Sequence, residues 1–300
     1  MCNKCPCCGS GLDSSLTSHY PASVHQLETL GINQIRICMD CGLRFADPLP
    51  SQSALDDFYS SGIYWDDLAP PTAMQAMHAY SQAVERCVWI ASKINLPPQK
   101  IADIGAGQGW MGLAIGNVWR VNGLSYDFLE PDDIAAAAIQ RYAKETVRHR
   151  LGTLPSEPIY DLIFMNQVLE HASVPVSFLT SIKAGLKPGG YLYIEIPNGD
   201  DLFKANVFPH VLFMDDVVLA RLCAYVDMEV VALESFGCMP AKGSLPSILL
   251  RAMFSVASRL RLRRLSILLD KKLWKYSPES DGIWLRALVR KPLETKSDLV

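Results

Sequence analysis

Several things are scarce in this 300-residue sequence, and each scarcity narrows its role. No stretch approaches the roughly 18 consecutive apolar residues that a membrane-spanning helix needs. The opening residues, rich in cysteine and polar side chains, contain no apolar core of a secretion signal. A cytoplasmic chain with reduced thiols is therefore expected. Positive charge is not in excess: 28 Lys and Arg face 31 Asp and Glu, for a net charge of -3. Nothing draws the whole chain to a phosphate backbone, and no nucleic-acid partner is expected. Internal repeats and low-complexity tracts are lacking too. What is abundant is apolar material, with 49% hydrophobic and 20% charged residues, the balance of a chain that can build a core. The length suits one large domain with a small appendage.

Cysteine is concentrated at one end. Six of the nine lie at or before Cys41. Cys5-Pro-Cys-Cys8-Gly9 and Cys38-Met-Asp-Cys41-Gly42 share a CxxCG form, in which a tight turn presents two thiolates. Two such knuckles complete a tetrahedral S4 site, so Cys5, Cys8, Cys38 and Cys41 are expected to hold a structural zinc within a ribbon spanning 1–50. Cys2 with Cys5 is a second legal pair, and Cys7 lies between the preferred ligands.

Residues 51–98 read as helical. Ser53–Tyr59 is a short candidate, and Met74–Ile94 a longer one ended by Pro97 and Pro98. Beyond Lys100 short apolar runs alternate with amphipathic stretches. Ile101–Ile104, Leu124–Leu129, Tyr160–Met165, Tyr191–Ile196, Met228–Leu233 and Trp284–Val289 predict strands. Trp110–Asn117, Asp133–Tyr142, Pro175–Leu186 and Asp216–Ala224 predict helices, with the Lys187–Gly190 turn stopping the third of these. The alternation predicts an α/β fold, a Rossmann-like, doubly wound and mostly parallel sheet over 99–300. A basic helical insertion fills 240–280.

Asp103-Ile-Gly105-Ala106-Gly107-Gln-Gly109 follows the first of these strands and opens a helix. Its glycines let the backbone approach a nucleotide closely. Glu130, at the end of the next strand and before Pro131, is placed to accept hydrogen bonds from both ribose hydroxyls of an adenosine. The GxGxG spacing and the carboxylate of Asp103 favour a cationic tail over a pyrophosphate. These residues, with Tyr160–His171 and Leu186–Pro197, resemble the motifs of the class I S-adenosylmethionine (SAM)-dependent methyltransferases over roughly 75–291. The resemblance implies that Asp103, Gly105, Ala106, Gly107, Gly109, Glu130 and Pro131 hold SAM. It puts Gly152 and Thr153 near the adenine and Asn166 and Gln167 beside the sulfonium. Tyr59, Tyr64 and Trp65 become candidates to cover the cofactor or to form a small local core.

The cysteine ribbon followed by Leu43–Pro48 is similar to the N-terminal module of sugar methyltransferases, which implies a small-molecule or glycan acceptor. Only Pro292–Val300 follow the last strand, where sugar C-methyltransferases carry a further domain, so a hydroxyl is the expected target. Removing its proton calls for a base, and histidine is the natural one near neutral pH. His210 is the first candidate, with His171 and Glu195 behind it; a loop cap, helix packing and a salt bridge are their respective structural roles otherwise. In 249–275, Leu249, Met253, Val256, Leu260, Leu262, Leu265, Leu269 and Leu273 recur at helical spacing among Arg259, Arg261, Arg263, Arg264, Lys271, Lys272 and Lys275. This helix suits either anionic lipid or a lipid-linked glycan at the inner membrane surface, or a lid or dimerisation helix with a solvated face. Two rival functions stand beside the sugar reading: an RNA or protein methyltransferase that recognises its target through the ribbon, and a SAM-binding scaffold without turnover.

Overall fold

A computed structural model of the chain describes residues 4–12, 16–61, 72–95, 97–119, 122–142, 147–237, 245–274 and 282–293. Its centre is a seven-stranded sheet in the order β10-β11-β8-β7-β4-β5-β6. The strands are β4 (Lys100–Ile104), β5 (Ser125–Leu129), β6 (Val147–Arg150), β7 (Tyr160–Asn166), β8 (Leu186–Pro197), β10 (Glu229–Phe236) and β11 (Trp284–Arg290). β4 to β8 run parallel, while β11 lies antiparallel between β8 and β10. The strand order reverses between β4 and β7, the place where open α/β sheets bind ligands at their carboxyl edge.

The pleat explains why these strands read as apolar runs. Ile163 and Met165 enter one buried cluster, and Leu162 and Phe164 the other. Successive side chains point to opposite faces, so a strand covered on both sides has no polar row. Helices α4 (Trp110–Val118), α5 (Asp133–Tyr142), α6 (Pro175–Gly185) and α7 (Asp216–Tyr225) connect the strands. Before them, α3 (Ala73–Ala91) starts at a Thr72–Gln75 capping box and buries Ala83, Cys87 and Ile90 against the sheet.

The first 50 residues contain more regular structure than their turn-rich sequence predicts. β1 (Thr17–Ser18), α1 (Val24–Leu30), β2 (Gln34–Ile37) and β3 (Arg44–Asp47) are followed by α2 (Gln52–Ser60). β1, β2 and β3 form a second sheet completed by β9 (Leu212–Phe213), which belongs to the later part of the chain. Tyr20, Ile35, Phe45 and Leu55 share one core with Val211, Phe213 and the sheet residues Ile194 and Ile196. The cysteine-bearing segment is thus built onto the large domain, not tethered beside it.

Two further expectations shift. β6 gives little sequence signal because it is a four-residue edge strand. The 240–280 insertion forms α8 (Leu245–Arg259) and α9 (Arg263–Trp274) between β10 and β11. Phe254, Ala257, Leu269 and Leu273 seal this pair onto Met77 of α3. That contact sets the helix phase, and Leu249, Met253, Val256, Leu260, Leu262 and Leu265 consequently face outward. No helix among the described residues is long and apolar enough to cross a membrane.

Candidate functional site

A cavity of about 1050 Å³ opens at the carboxyl ends of β4, β5 and β7. It lies at the upper end of the size of ligand pockets, roughly 300–1,000 Å³. One end is backbone. The turn after β4 carries Gly105, Gly107 and Gly109 with φ of 64°, 53° and 77°. Gly105 has a second reason to be glycine: a Cβ there would stand 2.6 Å from Cγ2 of Val168. Gly109 likewise leaves no space beside Ile139, and serves as the left-handed cap of α4 outside the cavity lining. Glu130 is buried; its Oε2 accepts from the Gly107 amide at 2.7 Å and its Oε1 from Asp132 at 3.1 Å. Burial raises its pKa, against the pull of these two bonds.

Asp103 is 1% exposed and accepts from the Tyr126 hydroxyl at 2.5 Å through Oδ2. Among the described residues its Oδ1 has no partner, and neither do Asn166 Oδ1 or Gln167 Nε2. Burial pushes the Asp103 carboxyl up to about 7; the Tyr126 bond opposes this, and the charge of Glu130 adds to it. Buried polar atoms are nearly always bonded, so orphans along one cavity wall mark where ligand atoms belong. Gln167 adds backbone strain, with a φ of 53°, held by its amide on the Glu195 carbonyl at 2.8 Å. A cationic amino-acid tail and a ribose fit this donor and acceptor set.

Ala106, Pro131, Gly152, Asn166 and Gln167 line the cavity as expected. Thr153 does not; it is exposed, because β6 ends at Arg150 and the chain turns out to solvent after Gly152. Sequence reasoning missed Arg150, whose guanidinium donates to the carbonyls of Glu130 and Pro131 and so ties β6 to the acidic loop. It also missed Arg86 on α3. Arg86 lines the cavity and forms a buried ion pair with Glu195, which also accepts from Tyr193 at 2.7 Å. Glu195 is therefore engaged behind the wall and does not face the cavity. An arginine at helical spacing looks like a solvated residue; only its distant partner on β8 reveals it.

The other end of the cavity joins α2 to the segment that follows β7. Gln52, Asp56 and Tyr59 arrive on α2 and His171 on the 3-10 turn Leu169–His171 after β7. Tyr59 Oη and His171 Nδ1 are 2.6 Å apart. Behind His171, with ring centroids 5.0 Å away, stands His210, whose Nδ1 meets Asp200 Oδ2 at 3.0 Å. Lys204 also bonds Asp200. His171, not His210, lines the cavity, which reverses the expected order of the two histidines. Burial, followed by the proximity of His210, lowers the His171 pKa to about 3, so its imidazole is neutral. The loop histidine does not cap α7, since Asp215 does that itself. Tyr64 and Trp65 lie outside the described residues.

A family model described as a methyltransferase domain matches residues 73–239, more than half of the chain. The chain belongs to that methyltransferase family. A tRNA U34 carboxymethyltransferase from Pseudoalteromonas translucida is 30% identical over 118 residues, which are 35% of each chain. A ubiquinone biosynthesis O-methyltransferase from Actinobacillus pleuropneumoniae serotype 7 is 29% identical over 161 residues, 49% of this chain and 65% of the relative. The chain thus spans about a third of the length of the carboxymethyltransferases it matches. Its fold is that of the methyltransferase complexed with the Trm112 activator in Haloferax volcanii, with a TM-score of 0.52, 14% identity, and coverage of 81% and 98% of the two chains.

Away from the methyltransferase cavity, the two knuckles converge. Cys5 and Cys41 sulfurs are 3.5 Å apart, and those of Cys8 and Cys38 3.6 Å. All four lie within 4.8 Å of one another. A tetrahedron with Zn–S bonds of about 2.3 Å has edges of about 3.8 Å, so the donor set fits zinc. Cys7 is buried beside the cluster, and its amide donates to the Cys5 sulfur at 3.4 Å. Burial pushes the Cys41 thiol up to about 11 and Cys7 up to about 12. Thiolates gathered this closely need a cation to hold their charge. Cys2 lies outside the described residues.

Proposed function

We propose that this methyltransferase transfers the methyl group of SAM to a hydroxyl of a sugar, glycan or related small molecule, and that Cys5, Cys8, Cys38 and Cys41 hold a structural zinc. One observation carries the reading: a single cavity joins the Asp103–Glu130 end to a polar corner of Gln52, Asp56, Tyr59 and His171. Amide, carboxylate and phenol groups together suit a ligand with several hydroxyls. When bound, SAM supplies a methyl group already activated by its sulfonium. The chain must then do two things. It must hold the acceptor oxygen in line with the methyl carbon, for which positioning supplies several kcal/mol. It must also help the hydroxyl proton leave to water as the C–O bond forms and the C–S bond breaks, releasing S-adenosylhomocysteine. The corner of Tyr59 and His171, backed by His210 and Asp200, suits that help. Zinc would act at a distance: Tyr20, in the cysteine segment, donates to the His210 carbonyl at 2.6 Å and so fixes the segment that carries this corner.

The α8–α9 pair bears on where the acceptor comes from. Between residues 245 and 274 seven Lys and Arg accompany one Asp, in a chain of net charge -3. Leu249 is 63% and Leu260 65% exposed, and Arg251, Arg259, Arg261, Arg263 and Arg264 are exposed with them. An outward apolar row flanked by arginine suits the headgroup region of an anionic membrane, from which a lipid-linked glycan would be taken.

Transfer of a labelled methyl group from SAM to pools of nucleotide sugars, lipid-linked glycans, tRNA and protein tests the assignment. Label in an alkali-stable glycan ether is the expected result. Label in tRNA, or none in any pool, would overturn it.

A further inference from the structure

Glu170 is buried, 1% exposed, and among the described residues neither of its side-chain oxygens has a hydrogen-bond partner. An ionised carboxylate left like this costs several kcal/mol, so it needs a proton or a cation. Its neighbours are two imidazoles. His171 Nε2 lies 3.9 Å from Glu170 Oε1, and one ligand atom from each of Glu170, His171 and His210 falls within a 4.8 Å span. Both imidazoles use Nδ1 elsewhere, His171 on Tyr59 and His210 on Asp200. That leaves Nε2 of each ring as the candidate donor, and the His171 ring also has the Pro209 carbonyl within reach, which a cation would have to displace.

This is the anatomy of a metal centre with its outer shell in place. Histidine ligands characteristically give their other ring nitrogen to a carboxylate or another polar group, which fixes the ring and its tautomer. The backbone is fixed as well: the Val211 amide donates to the Glu170 carbonyl at 2.8 Å, joining the two ligand-bearing segments. Asp200 carries Lys204 on the same oxygen as His210, which keeps the outer carboxylate charged and occupied.

We infer that Glu170, His171 and His210 form a binding site for a divalent transition-metal cation, at the acceptor end of the methyltransferase cavity. Two imidazoles and one carboxylate suit zinc, cobalt or iron and leave coordination positions open. His171 has two neutral forms, one with its Nε2 proton toward the nearby Pro209 carbonyl and one with its Nδ1 proton toward Tyr59. A cation selects the second. The site deepens the proposed hydroxyl methylation, because His171 is at once a ligand and part of the acceptor wall. It can also stand if that reaction is wrong, since it rests on the donor set alone.

Cobalt(II) titration of the full-length protein, followed by absorption, tests the inference without turnover. Thiolate-bound cobalt at the cysteine cluster has intense sulfur-to-metal charge-transfer bands, whereas an imidazole–carboxylate site has only weak d–d bands. The expected result is both sets. Glu170→Gln and His210→Ala should each lose the weak set, with at least a tenfold loss of affinity, while retaining the sulfur bands and SAM affinity within threefold. Retention of those two properties shows that the variants fold. A wild-type spectrum with sulfur bands alone would overturn the site. So would weak bands unchanged in Glu170→Gln, or that variant raising Tm without altering cobalt binding, since Glu170 would then be a buried neutral acid.

Discussion

The two ends of the cavity are built in opposite ways. The cofactor end comes from contiguous chain: Asp103 to Gly109 is one turn, and Glu130 closes the next strand against it. The other end pairs Tyr59 with His171 and backs them with His210 and Asp200, from segments more than 100 residues apart in the widest case. The first is made largely of backbone and tolerates few substitutions. The second is made of side chains on a shared scaffold and can change its chemistry without changing the fold. Such a division lets one cofactor fold serve many acceptors.

Steric damage at the cofactor end should have the largest effect. Gly105→Ala places a Cβ into Val168 at a positive φ, and SAM affinity measured by calorimetry should fall by about 100-fold or more. Binding within threefold of wild type would show that the turn does not need its glycine. His171→Ala should separate the two ends. Turnover should drop by roughly 10²-fold, because the ring holds Tyr59 in place at the cavity wall, with SAM affinity nearly unchanged. A variant that loses both equally would mean that the ends are not independent.

A gentler test uses pH. Asp103 has a pKa raised to about 7, and as the proposed partner of a cationic tail it would attract that tail only when ionised. Between pH 6 and pH 8 its ionised fraction rises about tenfold, so SAM affinity should rise by up to that factor, and Asp103→Asn should flatten the profile. The linkage for stability has the opposite sign. A carboxyl whose folded pKa is raised adds stability below its unfolded value, and that contribution is lost as pH rises toward about 7. The cofactor-free protein should therefore lose some stability over this interval. The smallest effect in solution is expected at the periphery. Replacing Arg259, Arg261 and Arg263 with Glu should leave SAM affinity unchanged yet abolish sedimentation with phosphatidylglycerol vesicles. Unchanged sedimentation would leave α8–α9 as a lid.

What could be read from sequence follows the same division. The parallel strands and the glycine turn announce themselves because their signals are local: doubly buried strands are continuous apolar runs, and a turn needs its glycines in place. Four cysteines in two CxxCG knuckles are equally local. The fusion of the cysteine segment to the core through β9 was hidden, since a two-residue strand more than 160 residues from its partner leaves no periodicity. Arg86 and Arg150 were hidden for a related reason: each is defined by groups elsewhere, Glu195 in one case and two loop carbonyls in the other. What the apolar row of α8 faces stayed open because helical spacing shows that a face is apolar, not which of two apolar faces meets α3.

Calorimetric titration with S-adenosylhomocysteine, in parallel on wild type and Glu130→Ala, bears most directly on the central claim. The wild type should bind one equivalent per chain. With Glu130 as the ribose acceptor, Glu130→Ala removes at least one charge-assisted bond of about 1.5–3 kcal/mol, so it should bind roughly 10–100-fold more weakly or worse. Absence of heat with the wild type, or equal affinity in the two proteins, would contradict the cofactor site described by Asp103, the glycine turn and Glu130.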